Sequence, residues 1–241
     1  MIPVLPADPH APFPRLERAL HEPNGLLCAG GDLSPPRLLN AYRHGIFPWF
    51  NPGEPILWWS PDPRMVFRSD GVRLSSKFRR WLRASHWTIR ADSAFADVMR
   101  ACATSPRPGQ HGTWIGADMI DAYVELHRLG HAHSVEVFDG ARLVGGIYGV
   151  AIGRMFYGES MFSGASGGSK VALAALARLL RDRGWPLIDA QVESLHLRTL
   201  GAETMPRTIF SAQIAALVDQ PGIIGPWSAD LPDLPVSGLA A

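Results

Sequence analysis

The order of segments between residues 133 and 192 is what most restricts the folds open to this chain. Three apolar segments with the spacing of antiparallel strands come first: 133–138, 142–150 and 154–162. A glycine-rich connection at 163–168 leads into an Ala- and Leu-rich helix, which begins at Ser169 and ends at Gly184. A further strand begins at Leu187. The sequence therefore predicts an antiparallel meander followed by one helix and one more strand.

This order of elements is typical of an acyltransferase fold of the GNAT type, in the α+β (mixed α/β) class with an antiparallel-rich sheet. A fold of this kind does not by itself define a reaction. We predict three parts: a small N-terminal α/β domain at 1–64, a GNAT-like catalytic domain at 65–220 and a loose, Pro-rich C-terminal tail at 221–241.

Three further helices are predicted from their end signals and apolar spacing. Ser34 as N-cap, Pro35 in the first turn and Gly45 as the stop define the first one. The second covers 75–83 and the third covers 118–129.

The charged face of the helix at 75–83 is wholly basic and includes Lys77, Arg79 and Arg80. Because the chain carries a net charge of only +1, a polyanion has to be bound by a local patch of this kind. The helix is the best candidate for a surface that faces nucleic-acid phosphates. A solvated helix face is the alternative interpretation.

Polar and apolar side chains alternate in the strand that begins at Leu187. Asp189, Gln191 and Glu193 are two positions apart, and a regular strand would place them on one face. Burial of an unpaired carboxylate is costly, so we predict that Asp189 is either paired or exposed in a cleft. A strand with one solvated face is the alternative.

Two features flank the glycine-rich connection. Backbone N–H groups at the start of the helix, together with Lys170, can bind one phosphate or carboxylate, although a valine follows Lys170 where nucleotide hydrolases need a hydroxyl. An ordinary glycine loop is the alternative. On the preceding strand, Phe156 and Glu159 can face one cleft only if a bulge near Gly158 interrupts the alternation.

The sequence gives no support for metal, disulfide or membrane chemistry. The histidines between 127 and 133 are interrupted by Gly130, and no carboxylate or thiolate is spaced to complete a metal shell, so we predict neither a metal nor a cofactor. Cys28 and Cys102 are far apart and form no disulfide framework. Without a signal peptide, a bilayer-spanning stretch or a coiled coil, the chain is expected to be a cytoplasmic monomer.

A series of motifs lies at 24–34, 41–50, 56–64, 112–115, 133–136, 143–146, 156–162, 169–173 and 187–202. In this order they resemble the leucyl/phenylalanyl-tRNA–protein transferases, bacterial enzymes that add Leu or Phe from aminoacyl-tRNA to proteins beginning with Arg or Lys. The resemblance extends over most of the chain. The chain departs from the family pattern at Gly164 and Gly167-Gly168, where relatives usually carry an Arg and an Asp-Ala pair. Lys170 is expected to carry more of the phosphate contact here.

The resemblance implies peptide-bond formation, in which the N-terminal amine of an acceptor protein attacks the ester of aminoacyl-tRNA, and the product is marked for degradation as an N-degron. By similarity, Gln191 holds the amine, and Asp189 receives its proton or orders that network. Glu159 would attract the cationic N-terminus or side chain of the acceptor.

The resemblance also implies how the aminoacyl-tRNA is bound. Trp49 and Trp114 would stack on or enclose the terminal adenosine. A place in the core or on the surface without ligand contact is the alternative for both. An apolar pocket would take the Leu or Phe side chain, with the lining Ile147, Phe156, Leu173 and Leu176. The tRNA phosphates would lie on Lys77, Arg79, Arg80 and Lys170. Since an apolar pocket separates close analogues by only about 1–3 kcal/mol, some acceptance of Met is expected.

Two other functions remain open at this point. An acyl-CoA-dependent GNAT N-acetyltransferase would share the predicted fold, but it requires a pyrophosphate loop with a basic start, and 163–168 supplies glycines only. A non-catalytic RNA-binding module would use the aromatic residues and the basic helix. It would leave Asp189 and Gln191 without a purpose.

Overall fold

Two β-sheets and seven α-helices make up the part of the chain that the computed structural model describes, residues 2–105, 113–229 and 233–240. The strands are β1 (Val4–Leu5), β2 (Leu26–Gly30), β3 (Phe47–Pro48), β4 (Leu57–Trp59), β5 (Arg64–Arg68), β6 (Thr88–Ala91), β7 (Ala132–Asp139), β8 (Arg142–Ile152), β9 (Met155–Ser163), β10 (Leu187–Gln191), β11 (Glu203–Met205) and β12 (Leu234–Pro235). The helices are α1 (Pro35–Arg43), α2 (Ser76–Ala84), α3 (Phe95–Thr104), α4 (Ala117–Arg128), α5 (Gly168–Asp182), α6 (Leu195–Thr199) and α7 (Arg207–Val218).

The smaller sheet contains β1 to β4 in the order β1-β2-β4-β3, with β1 parallel to β2 and the other pairs antiparallel. Its central indole, Trp58, is fully buried and donates from Nε1 to the backbone oxygen of Gly30 at 2.9 Å. Helix α1 follows β2 and buries Leu38 and Tyr42, as its predicted apolar face requires.

The larger sheet has eight strands in the order β11-β5-β10-β9-β8-β7-β6-β12. All neighbouring pairs are antiparallel except β9 and β10, which α5 connects as a crossover. The predicted meander, central helix and following strand are confirmed, and so is the mixed α/β class with an antiparallel-rich sheet.

Two bulges interrupt the central strands of the larger sheet. In β9 the register against β8 shifts between Gly158 and Ser160, so that Glu159 is the additional residue. The predicted bulge near Gly158 is confirmed. The opposing strand accommodates it because Gly149 lacks a side chain, and a Cβ there would overlap the backbone oxygen of Tyr157.

The second bulge lies in β10, where the register against β5 shifts between Asp189 and Gln191. The strand ends at Gln191, and Glu193 is exposed and paired with Arg198. The prediction that Asp189, Gln191 and Glu193 share one face of a regular strand is therefore wrong. A bulge changes the direction of the side chains that follow it, and the alternation of residue types does not record its presence.

Two apolar clusters hold these layers together. One lies between the sheets and includes Trp58 of the smaller sheet and Tyr148 of the larger one. The other lies between the larger sheet and α5, which packs against β7, β8 and β9. The division of the chain at residue 64 stays a prediction. Among the described residues, none of the helices combines the length and apolar composition that crossing a bilayer requires.

The C-terminal segment is packed on the larger sheet in its described parts, 221–229 and 233–240. Trp227 and Val236 are fully buried, and Leu234 of β12 pairs with Ile89 of β6. The Trp227 backbone N–H also donates to the carboxylate of Asp92 at 2.7 Å. The prediction of a loose tail is therefore wrong for these residues, because a buried indole and a strand pairing fix the segment to distant parts of the chain.

Candidate active site

Glu159 is the centre of a buried hydrogen-bond network. Its Oε1 accepts hydrogen bonds from the hydroxyl of Tyr42 at 2.7 Å and from Nε2 of Gln191 at 2.6 Å, and its Oε2 accepts one from the hydroxyl of Tyr123 at 3.2 Å. The two tyrosine hydroxyls also contact each other. These side chains come from α1, α4, β9 and β10, so the network joins the smaller sheet's helix to the centre of the larger sheet.

Burial gives the Glu159 carboxyl unusual acid-base properties. It raises the pKa to about 7, and the nearby charge of Asp189 acts in the same direction, whereas the hydrogen bonds from Tyr42, Tyr123 and Gln191 oppose the rise. A carboxyl group with this pKa is partly ionised at neutral pH. It can attract a cation or exchange a proton with a substrate near pH 7.

Asp189 is paired, as one of the two predicted possibilities requires. Its Oδ1 accepts from Nε of Arg64 at 2.8 Å, and its Oδ2 accepts from Nη2 of the same guanidinium at 2.6 Å. Both side chains are fully buried. The backbone N–H of Gln191 donates to Oδ1 as well, at 2.9 Å.

A cavity of about 100 Å³ lies against Glu159 and Gln191. Its remaining lining is mostly apolar and consists of Phe67, Ile147, Gly158, Ser160, Met161, Leu173, Ile188, Asp189, Ala190 and Leu197. Larger clefts occur elsewhere, including one of about 550 Å³ between the N-terminal segment, α1 and α7. The small cavity is the better candidate site, because it joins an apolar wall to a carboxyl group with a shifted pKa and an amide.

The structure brings together some of the predicted pocket residues and not others. Ile147 and Leu173 line the cavity, together with Glu159 and Gln191. Phe156 and Leu176 do not reach its wall: both are buried in the apolar cluster behind it. The Phe156 ring faces the indole of Trp227 instead, with ring centroids 5.7 Å apart.

The two candidate adenosine-stacking residues lie outside the cavity wall. Trp49 is 36% exposed and packs against Trp59, with ring centroids 5.5 Å apart. Trp114 is half-buried. The loop after it approaches the turn after Trp49, since a Cβ on Gly116 would lie 3.3 Å from Cγ of Pro52. Gly112, at the start of the Trp114 motif, lies outside the described residues.

The predicted phosphate-binding residues form one surface on α2 and the beginning of α5. Lys77 and Arg80 are exposed, and Arg79 is half-buried. Lys170 joins them, because its Nζ lies 4.9 Å from the centroid of the Phe78 ring on α2. The preceding glycine loop lies against the same ring. Gly167 has a φ of +90°, and a Cβ on it would be 2.8 Å from Phe78, so a side chain there would be strained.

Sequence reasoning missed several residues of this site. Arg64, Tyr42 and Tyr123 carry the network, and the cavity wall contains further residues that were not predicted, including Met161 and Leu197. One signal was available for the tyrosines. Both lie on the inward faces of amphipathic helices, and a buried hydroxyl needs a partner.

The comparisons with known proteins identify the family. The family model described as leucyl/phenylalanyl-tRNA protein transferase matches residues 66–215, and the model for the N-terminal domain of the same family matches 31–62. The chain belongs to the leucyl/phenylalanyl-tRNA protein transferase family.

Individual relatives support the same assignment along almost the whole chain. A leucyl/phenylalanyl-tRNA–protein transferase of Xanthomonas euvesicatoria pv. vesicatoria (strain 85-10) is 69% identical over 98% of this chain and 94% of its own length. Another, from Xanthomonas oryzae pv. oryzae (strain MAFF 311018), is 71% identical over 91% of this chain and 89% of its own length.

Some solved structures match this transferase family member at much lower similarity. One is the crystal structure of a functionally unknown conserved protein from Staphylococcus epidermidis ATCC 12228, with 10% identity and a TM-score of 0.42. The match covers 75% of this chain and 68% of that protein. The family assignment does not depend on it.

Proposed function

We propose that this protein transfers Leu or Phe, and less readily Met, from aminoacyl-tRNA to the N-terminal Arg or Lys of acceptor proteins, which marks them for N-degron degradation. The observation that carries this proposal is the apolar cavity closed on one side by the Gln191 amide and the Glu159 carboxyl, in a chain of this family. The order of meander, glycine loop, helix and strand supports a GNAT-like catalytic domain. We further propose that the protein acts in the cytoplasm, where aminoacyl-tRNA is made, and that it acts as a monomer.

The chemistry needs positioning more than activation. The ester of aminoacyl-tRNA is already reactive. An N-terminal amine has a pKa of about 8, so roughly one tenth of the acceptor molecules carry a neutral amine at pH 7. Holding the amine against the ester carbonyl therefore supplies most of the acceleration.

We infer complementary roles for three side chains of the network. Because Nε2 of Gln191 donates to Glu159, the amide oxygen of Gln191 is left to accept a hydrogen bond from the attacking amine. Glu159 attracts the cationic acceptor and can take up the proton that the amine loses. As the C–N bond forms, the ester C–O bond breaks, and the tRNA leaves with a free ribose hydroxyl that receives a proton from Glu159 or solvent. Asp189 orders the network, since both of its oxygens already accept hydrogen bonds.

The aminoacyl-tRNA is held by surfaces around this centre. The cavity wall at Ile147, Leu173 and Met161 takes the amino-acid side chain, with Phe156 and Leu176 supporting it from behind. Trp49 and Trp114 stack on the terminal adenosine. Phosphates of the tRNA lie on Lys77, Arg79, Arg80 and Lys170. The apolar wall discriminates by size and shape alone, which admits Met as a weaker substrate.

One assay separates this function from its alternatives. Labelled leucine is supplied as leucyl-tRNA, together with a model protein that begins with Arg, Lys or Asp and is otherwise identical. We expect transfer to the Arg and Lys forms and none to the Asp form. Transfer of acetyl from acetyl-CoA instead would establish an N-acetyltransferase. Binding of tRNA without any transfer would establish an RNA-binding module.

Replacing Gln191 by Ala is expected to lower kcat/KM for leucine transfer by about 10²-fold, because the amine loses the group that positions it. Steady-state transfer to the Arg-initiated protein measures this. The matched control is Glu193→Ala, two residues further on and exposed, which should leave kcat/KM within about twofold. Equal losses in the two variants would remove Gln191 from the reaction.

Charge reversal on α2 tests the tRNA surface. The double variant Lys77→Glu with Arg80→Glu is expected to weaken tRNA binding and to reduce the salt dependence of log K by roughly two phosphate contacts. Arg79 is left unchanged because it is half-buried. The control reverses two exposed arginines on other elements, Arg18 and Arg128. A salt slope that falls equally in both double variants would assign the α2 charges to solvent.

A further inference from the structure

Arg64 is held in one orientation inside the protein. Its guanidinium forms a two-bond pair with Asp189, and both side chains are fully buried. The rings of Phe47 and Phe210 each lie 4.8 Å from its Cζ, one from the smaller sheet and one from α7. Exchange of a buried ion pair for apolar residues of the same volume is often neutral or stabilising. Stability alone therefore does not account for this pair.

The pair is connected to Gln191 through one oxygen atom. Oδ1 of Asp189 accepts from Nε of Arg64 and from the backbone N–H of Gln191, at 2.8 and 2.9 Å. Gln191 has a φ of +60°, a left-handed conformation that is uncommon for residues other than glycine. Surrounding contacts have to maintain a backbone of this kind. The Asp189 carboxylate supplies such a contact at the residue concerned.

The backbone conformation of Gln191 determines where its amide lies. In a regular strand this side chain would follow the alternation of β10, but the bulge and the positive φ direct it to Glu159, where its Nε2 donates at 2.6 Å. The path from Arg64 to the cavity thus consists of two hydrogen-bond steps and one constrained residue.

We propose that Arg64 is a positioning residue for the transfer reaction: through Asp189 it holds the left-handed backbone of Gln191 and so directs the amide that binds the amine. The inference rests on the proposed function and deepens it. Asp189 has the role of the acceptor that joins the guanidinium to the backbone, and the proton of the amine leaves by way of Glu159 or solvent.

Arg64→Lys separates positioning from proton transfer by Asp189. An ammonium group keeps the charge but cannot reproduce two parallel hydrogen bonds. We expect kcat for leucine transfer to fall on the order of 10- to 100-fold, with KM for leucyl-tRNA changed less than about threefold. Asp189→Asn should reduce kcat similarly. The double variant should lose no more kcat than the less active of the two single variants. If Asp189 took up the proton directly, Arg64→Lys would keep kcat close to that of the unchanged protein.

Spectroscopic measurements test the proposal independently of transfer activity. The backbone amide of Gln191 should exchange with solvent at least about 10²-fold more slowly than that of exposed Glu193. In Arg64→Lys, the side-chain amide resonances of Gln191 should shift. Fast exchange at Gln191, unshifted amide resonances or additive losses of kcat would each overturn the proposal. Absence of transfer in the unchanged protein would refute the proposed function instead, while the amide measurements would still test the positioning.

Discussion

Replacement of Glu159 by Gln is expected to remove most of the transfer activity and to make the protein more stable above pH 7. Gln has nearly the same shape, and its amide can be satisfied by the hydroxyls of Tyr42 and Tyr123 and by Gln191. The variant has no charge to attract the cationic acceptor and no site for its proton. We expect kcat/KM to fall by about 10²-fold.

The gain in stability follows from the raised pKa of Glu159. Below its ordinary value of 4.5 the carboxyl is protonated in both the folded and the unfolded chain, and its burial has no electrostatic cost. As the pH rises towards the folded-state pKa of about 7, the unfolded chain loses its proton first, so the folded state becomes relatively less stable. Above pH 7 the folded protein carries the full electrostatic cost of the buried, ionised carboxylate. The shift from 4.5 to about 7 corresponds to about 3 kcal/mol as an upper limit.

Denaturant unfolding at pH 5 and at pH 8 measures this difference. The free energy of unfolding of Glu159→Gln should exceed that of the unchanged protein by about 1–3 kcal/mol at pH 8 and by much less at pH 5. Glu125→Gln is the control, because Glu125 pairs with Arg128 on the surface. The free energy of unfolding of this variant should differ little from that of the unchanged protein at either pH. If Glu159→Gln is less stable than the unchanged protein at pH 8, the folded protein stabilises the ionised carboxylate of Glu159 and burial has no net cost.

Local patterns predicted the order of the elements because each element carries its own signal. The meander, the Ala- and Leu-rich α5 and the helix α1 are defined by short-range spacing, caps and turns. The sequence predicts the bulge near Gly158 from the requirement that Phe156 and Glu159 face one cleft. The bulge is present, but Phe156 lies behind the cavity wall, so that requirement is not met.

The details of the site depend on contacts between segments that are distant in sequence. The local spacing of polar and apolar residues does not reveal such contacts. The face that Gln191 occupies is decided by Arg64, 127 positions earlier in the chain, acting through Asp189. Similarly, Phe156 lies behind the cavity, where its ring faces the indole of Trp227 from the C-terminal segment. Neither partner can be recognised from the residues that neighbour these positions in sequence.

Trp227, in the C-terminal segment, contacts residues from several distant parts of the chain. Its indole stacks on the ring of His133, with centroids 4.0 Å apart and an angle of 5° between the planes, and it packs edge-on against Trp185. The buried Asp92 binds both His133 and the backbone N–H of Trp227. The indole of Trp227 therefore packs on the larger sheet behind the cavity, beside Phe156.

Trp227→Ala is expected to lower the free energy of unfolding by about 3–5 kcal/mol, since a fully buried indole is lost and the space behind it cannot close completely. Equilibrium denaturation at pH 7 measures this. Ile224→Ala, in the same segment but 73% exposed, is the control and should change stability by less than about 0.5 kcal/mol.

The same variant should also reach the cavity. Phe156 contacts Trp227 and lies opposite Ile188 in the pairing of β9 with β10, and Ile188 is part of the cavity wall. When the Phe156 ring loses its support, the wall becomes less well defined, so KM for leucyl-tRNA should rise more than KM for the acceptor protein. A fall in stability of less than about 1 kcal/mol together with unchanged KM values would contradict both expectations. The segment would then only cover the sheet, and β9, β10 and α5 alone would determine the shape of the cavity.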